Sequence, residues 1–179
     1  MNAQLIWANP STITTSLGLA GEHQKINAAC AIAAAKIFLK KSPTTSVLAQ
    51  TTWPGRLQYL QRNPDVLIDG AHNEAGIATL EKFLQDEYPS KKINFVLGVL
   101  EDKNWETLFD SLLPMAEKMI CVTPNSTRAL SAEKLATYLR TKTSALIECS
   151  HESPMHSFPK FSMKPGEVLV ITGSLYLWS

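Results

Sequence analysis

Short apolar segments alternate with segments of helical periodicity from residue 56 onward, and this alternation constrains the fold more than any other feature of the chain. The predicted strands cover residues 56–62, 66–69, 93–99, 118–122, 145–148 and 167–172, and the predicted helices cover 74–87, 105–113 and 131–140. Apolar strands that alternate with helices are typical of a parallel sheet covered on both faces. Because only a few residues separate the first two strands, we expect them to form an antiparallel hairpin at one edge. The sequence therefore predicts an α/β fold with a mostly parallel sheet flanked by helices.

Residues 151–163 occupy the place where such a fold would have one more helix. Pro154 and Pro159 interrupt this segment, and proline cannot continue an α-helix. We therefore expect an irregular connection or one short helical turn there.

A different pattern precedes residue 50. Residues 23–41 form a predicted helix that is rich in alanine and ends in lysines, before Pro43 prevents its continuation. Cys30 lies in this helix and is predicted to be packed in a core. A single helix gains its stability by packing on another element. Residues 1–49 are therefore predicted to be the end of another domain, and residues 50–179 a domain of their own.

Charge and cysteine content narrow the functional class. The formal net charge of +1 gives no electrostatic reason to bind nucleic acid or an anionic membrane. The three widely spaced cysteines form no CxxC motif and argue against a disulfide framework. Neither a 20-residue apolar run nor a signal peptide is evident in the sequence. These features predict a soluble, cytoplasmic protein.

Small and polar residues follow four of the predicted strands, at 69–73, at 98, at 123–126 and at 172–174. In an open α/β sheet, ligands bind outside the carboxyl ends of the strands. At such a strand end, Asp69 could accept hydrogen bonds from ribose hydroxyls, and His72 could bind an anion or donate to a carbonyl. The alternative is that Asp69 and Asn73 only cap and turn the chain while His72 is a surface histidine.

Arginine and lysine near these strand ends have two interpretations. Arg56 follows a Pro-Gly turn and could bind phosphate oxygens, although a surface salt bridge is the better interpretation of a single arginine. Asp102, Lys103 and Asn104 are best interpreted as a charged loop with a helix cap. For Arg128 the same two interpretations, a ligand contact or an ordinary surface charge, are open. The sequence contains no phosphate-binding GxxxxGK[ST] loop, no GxGxxG fingerprint and no GxSxG nucleophile elbow, so Ser174 is not a hydrolase nucleophile of that type.

Five motifs, taken together and in this order, resemble a known family. They are Trp-Pro-Gly-Arg-Leu-Gln at 53–58, Asp-Gly-Ala-His-Asn at 69–73, a glycine at 98 with Asp-Lys at 102–103, Arg-Ala at 128–129, and Thr-Gly-Ser-Leu-Tyr at 172–176. This order resembles the C-terminal domain of the folylpolyglutamate synthase/dihydrofolate synthase family, in the Mur ligase superfamily. The segment at 21–29, which contains His-Gln and Asn-Ala-Ala, resembles the last helix of that family's central ATPase domain. The resemblance implies a Rossmann-like C-terminal domain preceded by a helical remnant of the central domain.

The resemblance also implies a reaction. In this family ATP and magnesium convert a substrate carboxylate to an acyl phosphate, which the amine of L-glutamate then attacks. Carried over to this sequence, Asn27 would contact the adenine, Arg56 the ATP phosphates and Asp69 the ribose. His72 would lie by the acyl phosphate and glutamate, and Ser174 near the incoming glutamate. The acceptor would be dihydropteroate or a reduced folate.

The family's phosphate loop, magnesium ligands and folate site have no counterpart in these 179 residues. The chain is therefore expected to be inactive alone and to need the missing N-terminal and central parts. Two alternatives are a non-catalytic nucleotide-binding or interaction module and a fragment of a cell-wall Mur ligase. If the assignment is right, Arg56→Ala and Asp69→Ala should abolish reconstituted activity with little loss of folding.

Overall fold

A six-stranded sheet forms the centre of residues 55–179, with the strand order β1-β2-β6-β3-β4-β5. The strands are β1 (Gln58–Gln61), β2 (Asp65–Ile68), β3 (Ile93–Leu97), β4 (Ala116–Val122), β5 (Leu146–Ser150) and β6 (Val168–Thr172). β1 pairs with β2 in the antiparallel direction, and the four remaining pairs are parallel. All six predicted strands and the edge hairpin are confirmed. The structure, a computed structural model, describes residues 5–151 and 163–178, so the prediction for 151–163 lies almost wholly outside the described residues.

In residues 55–151 and 163–178, three α-helices connect these strands. They are α2 (Glu74–Glu87), α3 (Trp105–Leu108) and α4 (Ala132–Leu139). The side chains of Asn73 and Ser131 cap α2 and α4 by accepting hydrogen bonds from the backbone N–H of Gly76 at 2.8 Å and of Lys134 at 3.2 Å. Such caps satisfy backbone donors that have no partner within the helix.

The helix predicted over 105–113 is wrong in its second half. α3 ends at Leu108, and residues Asp110–Met115 form a 3₁₀-helix that contains Pro114. An α-helix through this point would bring the ring of Pro114 against the carbonyl of Asp110, one turn earlier. The tighter 3₁₀ geometry avoids that clash and leads directly into β4.

The core of this unit lies on both faces of the sheet, as the apolar strands predict. One face carries a cluster of buried residues from β2, β3, β4 and β6, which also includes Leu177 beyond the last strand. Phe95, Leu67 and Met119, which alternate with that cluster along their strands, are also buried. A sheet buried on both faces leaves its strand ends as the places where polar side chains can meet a ligand.

Residues 1–54 form a separate compact unit. Its described residues, 5–54, contain α1 (His23–Leu39) and two short 3₁₀-helices, Pro10–Thr12 and Ser46–Gln50. α1 follows the predicted helix closely and ends where Lys40 adopts a left-handed conformation with φ of 53°. Of its 17 residues, only Gln24, Ala28 and Ala29 are buried.

The prediction that Cys30 is packed in a core is wrong, because the structure places this thiol on an exposed part of α1. An alanine-rich helix gives no single face that is clearly apolar, so the direction of Cys30 could not be derived from periodicity. No helix in the described part of the chain is long and apolar enough to cross a membrane.

Candidate active site

The carboxyl ends of β2, β3 and β6 meet at one edge of the sheet, as expected. Backbone hydrogen bonds continue the pairing beyond the strands: the N–H of Asp69 donates to Ile171 at 3.0 Å, and the N–H of Gly173 donates to Ala71 at 3.0 Å. The N–H of Gly98 donates to Thr172 at 3.3 Å. Three of the four predicted polar strand ends are thereby joined directly to one another.

Gly173 is required where the ends of β3 and β6 approach each other. Its φ is 107°, and a Cβ at this position would clash with the carbonyl oxygen of Gly98. Only glycine adopts this backbone conformation without strain and leaves room for the neighbouring backbone.

The carboxylate of Asp69 is buried and holds the backbone of two segments. Its Oδ1 accepts a hydrogen bond from the N–H of Ala71, and its Oδ2 accepts one from the N–H of Leu57, both at 2.9 Å. The N–H of Gly70 donates to the carbonyl of Gly55 at 2.7 Å. Asp69 therefore does help to turn the chain, as the structural alternative predicted. Each carboxylate oxygen can accept more than one hydrogen bond, so this structural role does not by itself exclude a contact with a ligand.

Arg56 lies in the turn that Asp69 holds. Its side chain is exposed, and no described carboxylate forms a salt bridge with it. The neighbouring Gly55 and Leu57 have positive φ angles of 69° and 44°. The interpretation of Arg56 as part of a surface salt bridge therefore finds no support in the described residues, and its guanidinium is available for an anionic ligand.

His72 and Ser174 line the same cavity, which has a volume of about 190 Å³. The half-buried imidazole of His72 has its Nδ1 at 2.7 Å from the carbonyl oxygen of Gly70, so in the neutral ring Nδ1 carries the proton and Nε2 is the acceptor. Ser174 is 3% exposed, and its Oγ accepts a hydrogen bond from the N–H of Tyr176 at 3.2 Å. That bond caps the 3₁₀-helix Leu175–Leu177 and leaves the hydroxyl proton of Ser174 to donate.

Lys103 is a cavity residue that the sequence reasoning assigned to a charged loop. Lys103 is half-buried and lines the cavity, and no carboxylate among the described residues pairs with its ammonium group. Arg128 also lines the cavity, but its guanidinium donates to Asp102 Oδ2 at 2.8 Å. The position of Lys103, six residues after the carboxyl end of β3, was the available signal. The remaining lining residues are Leu100, Gly173, Leu175 and Tyr176.

Asn27 belongs to the first unit and forms no part of this cavity. It is exposed on α1, and its Nδ2 donates to Gln24 Oε1 at 3.0 Å. Both residues line a separate, mainly apolar cavity of about 150 Å³ within residues 1–54. No cluster of three or more metal-ligating side chains is present in residues 5–151 and 163–178.

The sequence profile of the dihydrofolate synthetase C-terminal domain matches residues 56–179. The chain belongs to this family. The matched region begins at Arg56 and contains the whole sheet and the cavity, so the family assignment covers every site residue except Asn27.

Curated relatives agree with this assignment. The chain is 30% identical over 168 residues to a dihydrofolate synthase/folylpolyglutamate synthase of Bacillus subtilis, covering 90% of this chain and 39% of the relative. It is 34% identical over 169 residues to a folylpolyglutamate synthase of Lacticaseibacillus casei, covering 90% and 38%. The chain therefore spans about two fifths of the length of these relatives.

Solved structures show the same fold. The Mycobacterium tuberculosis folylpolyglutamate synthase complexed with ADP and AMPPCP superposes with a TM-score of 0.76 at 28% identity, covering 90% of this chain and 39% of that one. The Thermotoga maritima folylpolyglutamate synthase superposes with a TM-score of 0.73 at 25% identity, covering 90% and 38%.

Proposed function

We propose that this chain supplies the C-terminal part of an ATP-dependent amide ligase that adds L-glutamate to dihydropteroate or a reduced folate. The observation that carries the proposal is the cavity at the carboxyl edge of the sheet. There Lys103, His72 and Ser174 offer an ammonium group, an imidazole and a hydroxyl to one small ligand. The family assignment and the names of the relatives support this choice of reaction.

ATP, when bound, supplies the phosphoryl group that activates the acceptor carboxylate, and three residues of this chain are assigned to the nucleotide. The exposed guanidinium of Arg56 binds phosphate oxygens, for which its planar fork is well suited. Asp69 accepts hydrogen bonds from the ribose hydroxyls while it holds the Arg56 turn. Asn27 pairs with the adenine edge, next to an apolar cavity suited to a planar base.

The cavity receives L-glutamate. The ammonium group of Lys103 binds a carboxylate, and the Ser174 hydroxyl, which is fixed by its bond to Tyr176, donates a hydrogen bond to the same ligand. His72 is held by Gly70 with Nε2 available, so it can accept a proton from the incoming amine or hydrogen-bond to the reacting group.

The magnesium ligands, the folate site and most of the phosphate site are assigned to polypeptide that corresponds to the remaining length of the relatives, because this chain spans 39% of the Bacillus subtilis protein. That polypeptide is the partner we propose for this chain. The three thiols are all free, which fits a reducing compartment, and we place the reaction in the cytoplasm.

The test is reconstitution. This chain is mixed with the part of the Bacillus subtilis relative that it lacks, and ATP- and glutamate-dependent extension of dihydropteroate and of a reduced folate is measured. We expect extension with the unaltered chain and at least a tenfold loss with Arg56→Ala. Lys82→Ala, which removes an exposed charge on α2, serves as the control and should keep full activity.

The other outcomes identify the other functions. A folded mixture that binds nucleotide without extending either acceptor indicates a non-catalytic module. Extension of a UDP-linked peptide precursor instead of a folate indicates the cell-wall branch of the superfamily.

A further inference from the structure

The loops that follow β3 and β4 are joined by their backbones. Leu100 and Ala129 form an isolated β-bridge. The N–H of Glu101 donates to the carbonyl of Arg128 at 2.8 Å, and the N–H of Leu130 donates to Val99 at 2.9 Å. These hydrogen bonds hold the two loops together without any contribution from charged side chains.

Two ion pairs start from the loop after β3, and they reach the loop after β4 and the first turn of α4. Asp102 pairs with Arg128 at 2.8 Å, and Glu101 pairs with Lys134 at 2.7 Å. The side chains of Asp102 and Arg128 are 47% and 54% exposed. Exposed pairs of this kind add little to stability. Of these two pairs, the Asp102–Arg128 pair is the one that reaches the cavity, because Arg128 lines it and Lys134 does not.

A free guanidinium in this cavity would change which anions the cavity prefers. Guanidinium binds phosphate through two parallel hydrogen bonds, whereas the ammonium of Lys103 acts as a single point charge. With Arg128 unpaired, the cavity would hold two strong cations beside the imidazole of His72 and would favour a dianionic phosphate over a carboxylate. Specificity arises from features that disfavour a competitor as well as from contacts to the preferred ligand.

We propose that Asp102 is a specificity-determining residue of this cavity, because its carboxylate occupies Arg128 and leaves Lys103 as the cation that receives the ligand. Asp102 thereby weakens the binding of phosphate in a cavity that binds an amino-acid carboxylate. The identity of that carboxylate ligand rests on the function proposed above, whereas the effect on phosphate binding does not.

The experiment uses the chain as it is, labelled with ¹⁵N and titrated with inorganic phosphate at pH 7 and low salt. Binding is followed by NMR at the amides of Lys103 and Gly173. We expect Asp102→Asn to tighten phosphate binding roughly two- to fivefold, the range that an exposed charge pair allows. The gain should disappear in 1 M NaCl, where charges are screened within about 3 Å.

Two further variants and a second ligand define the mechanism. Adding Arg128→Met to Asp102→Asn should remove the gain, because the freed guanidinium is its source. Glu101→Gln breaks the neighbouring pair with Lys134 at the same loop and should bind phosphate like the unaltered chain. A parallel titration with L-glutamate should show a smaller gain in Asp102→Asn than phosphate does.

Several results would overturn the proposal. If Asp102→Asn weakens phosphate binding, or shifts amides throughout the cavity before ligand is added, the pair is structural. If no variant binds phosphate, or if all bind it equally, Asp102 does not control the cavity. None of these measurements requires ligase activity, so an inactive reconstituted enzyme would contradict only the proposed function.

Discussion

Asp69 joins the turn around Arg56 to the chain that follows β2, because one carboxylate holds both Leu57 and Ala71. Asp69→Ala leaves these two buried N–H groups without their acceptor. We expect a loss of about 2–4 kcal/mol in the free energy of unfolding, measured by urea denaturation. The sequence alone suggested that this substitution would leave folding nearly intact, and the structure reverses that expectation.

Arg56→Ala provides the matched comparison for Asp69→Ala. The guanidinium is exposed and unpaired with any described carboxylate, so its removal should change stability by less than about 0.5 kcal/mol. If the two variants unfold at the same urea concentration, the hydrogen bonds of Asp69 do not hold the turn.

The types of residue at the site could be predicted from the sequence, but their partners could not. Asp69, His72 and Ser174 follow apolar strands, and the rule for parallel sheets places them at one edge. The sequence could not show that Arg128 is paired with a carboxylate while Lys103 is not. Asp102 and Arg128 are far apart in sequence, and they meet where Leu100 bridges to Ala129. Lys103 was assigned to the loop for the same reason. The roles given to Asn27, Arg56, Asp69, His72 and Ser174 toward ligands stay predictions.

The ends of β3 and β6 depend on the close contact between Gly173 and Gly98. Gly173→Ala adds a Cβ that clashes with a carbonyl oxygen and forces a side chain into a left-handed conformation. We expect a loss of roughly 2–4 kcal/mol in the free energy of unfolding, from the strain and the clash together. The measurement is chemical denaturation, with the amide of Gly98 followed by NMR.

Gly166→Ala separates these two causes. Gly166 also has a positive φ, of 86°, but a Cβ there would meet no atom within 4 Å. Only the conformational strain remains, so the expected cost is about 1–2 kcal/mol. If Gly173→Ala and Gly166→Ala lose the same free energy of unfolding, the close approach of Gly173 to Gly98 adds nothing to the cost of the substitution.

A polar cluster ties the β1–β2 hairpin to the end of α2. The hydroxyl of Tyr88 donates to Asp65 Oδ2 at 2.7 Å and lies 3.1 Å from the hydroxyl of Tyr59. Burial raises the pKa of Tyr88, and its hydrogen bonds with Tyr59 and Asp65 raise it further. Partial burial tends to raise the pKa of Asp65, but hydrogen bonds from Tyr88 and Asn63 and the charge of Arg62 outweigh it and lower that pKa.

These shifts predict stability losses at both ends of the pH range. The contribution of Asp65 is present above its ordinary pKa near 3.8 and is lost as the pH falls below it. The contribution of Tyr88 is present below its ordinary pKa near 10.0 and is lost as the pH rises above it. Tyr88→Phe should therefore flatten the alkaline loss seen in thermal unfolding from pH 5 to 11. An unchanged alkaline slope would contradict this account.

At the level of elements, apolar periodicity predicted the sheet and helices because burial and periodicity are directly linked in β2, β3, β6 and α2. The predicted ends of elements were wrong where a local feature overrides the apolar periodicity. Pro114 shortens the helix after Trp105, although Leu112 and Leu113 continue the helical spacing. The β5 strand ends two residues later than predicted, because its pairing with β4 extends through Ser150.

The two units of the chain differ in how much apolar surface they bury. The unit Gly55–Ser179 contains the sheet, both of its buried faces and the family match. In the unit Met1–Pro54, α1 keeps Ile37 at 58% exposure and Phe38 at 86%. The assignment of residues 1–49 to a neighbouring domain agrees with this exposure and stays a proposal.

This difference predicts that residues 55–179 fold without the first unit. The members of the buried cluster on the sheet all lie after Gly55, so removal of 1–54 deletes none of them. We expect the 55–179 polypeptide to unfold cooperatively within about 3 °C of the main transition of the full chain, a shift that corresponds to less than roughly 1 kcal/mol. Its NMR amide signals for Gly98 and Gly173 should stay in place.

The same comparison tests the exposed face of α1. Large exposed apolar side chains promote association, so the full chain should self-associate at high concentration while the 55–179 polypeptide stays monomeric in sedimentation experiments. Phe38→Glu in the full chain is the matched variant, because it adds charge at the most exposed apolar side chain of α1 without touching the sheet. If the 55–179 polypeptide fails to fold, the first unit completes its core. If Phe38→Glu leaves self-association unchanged, α1 is not the surface responsible.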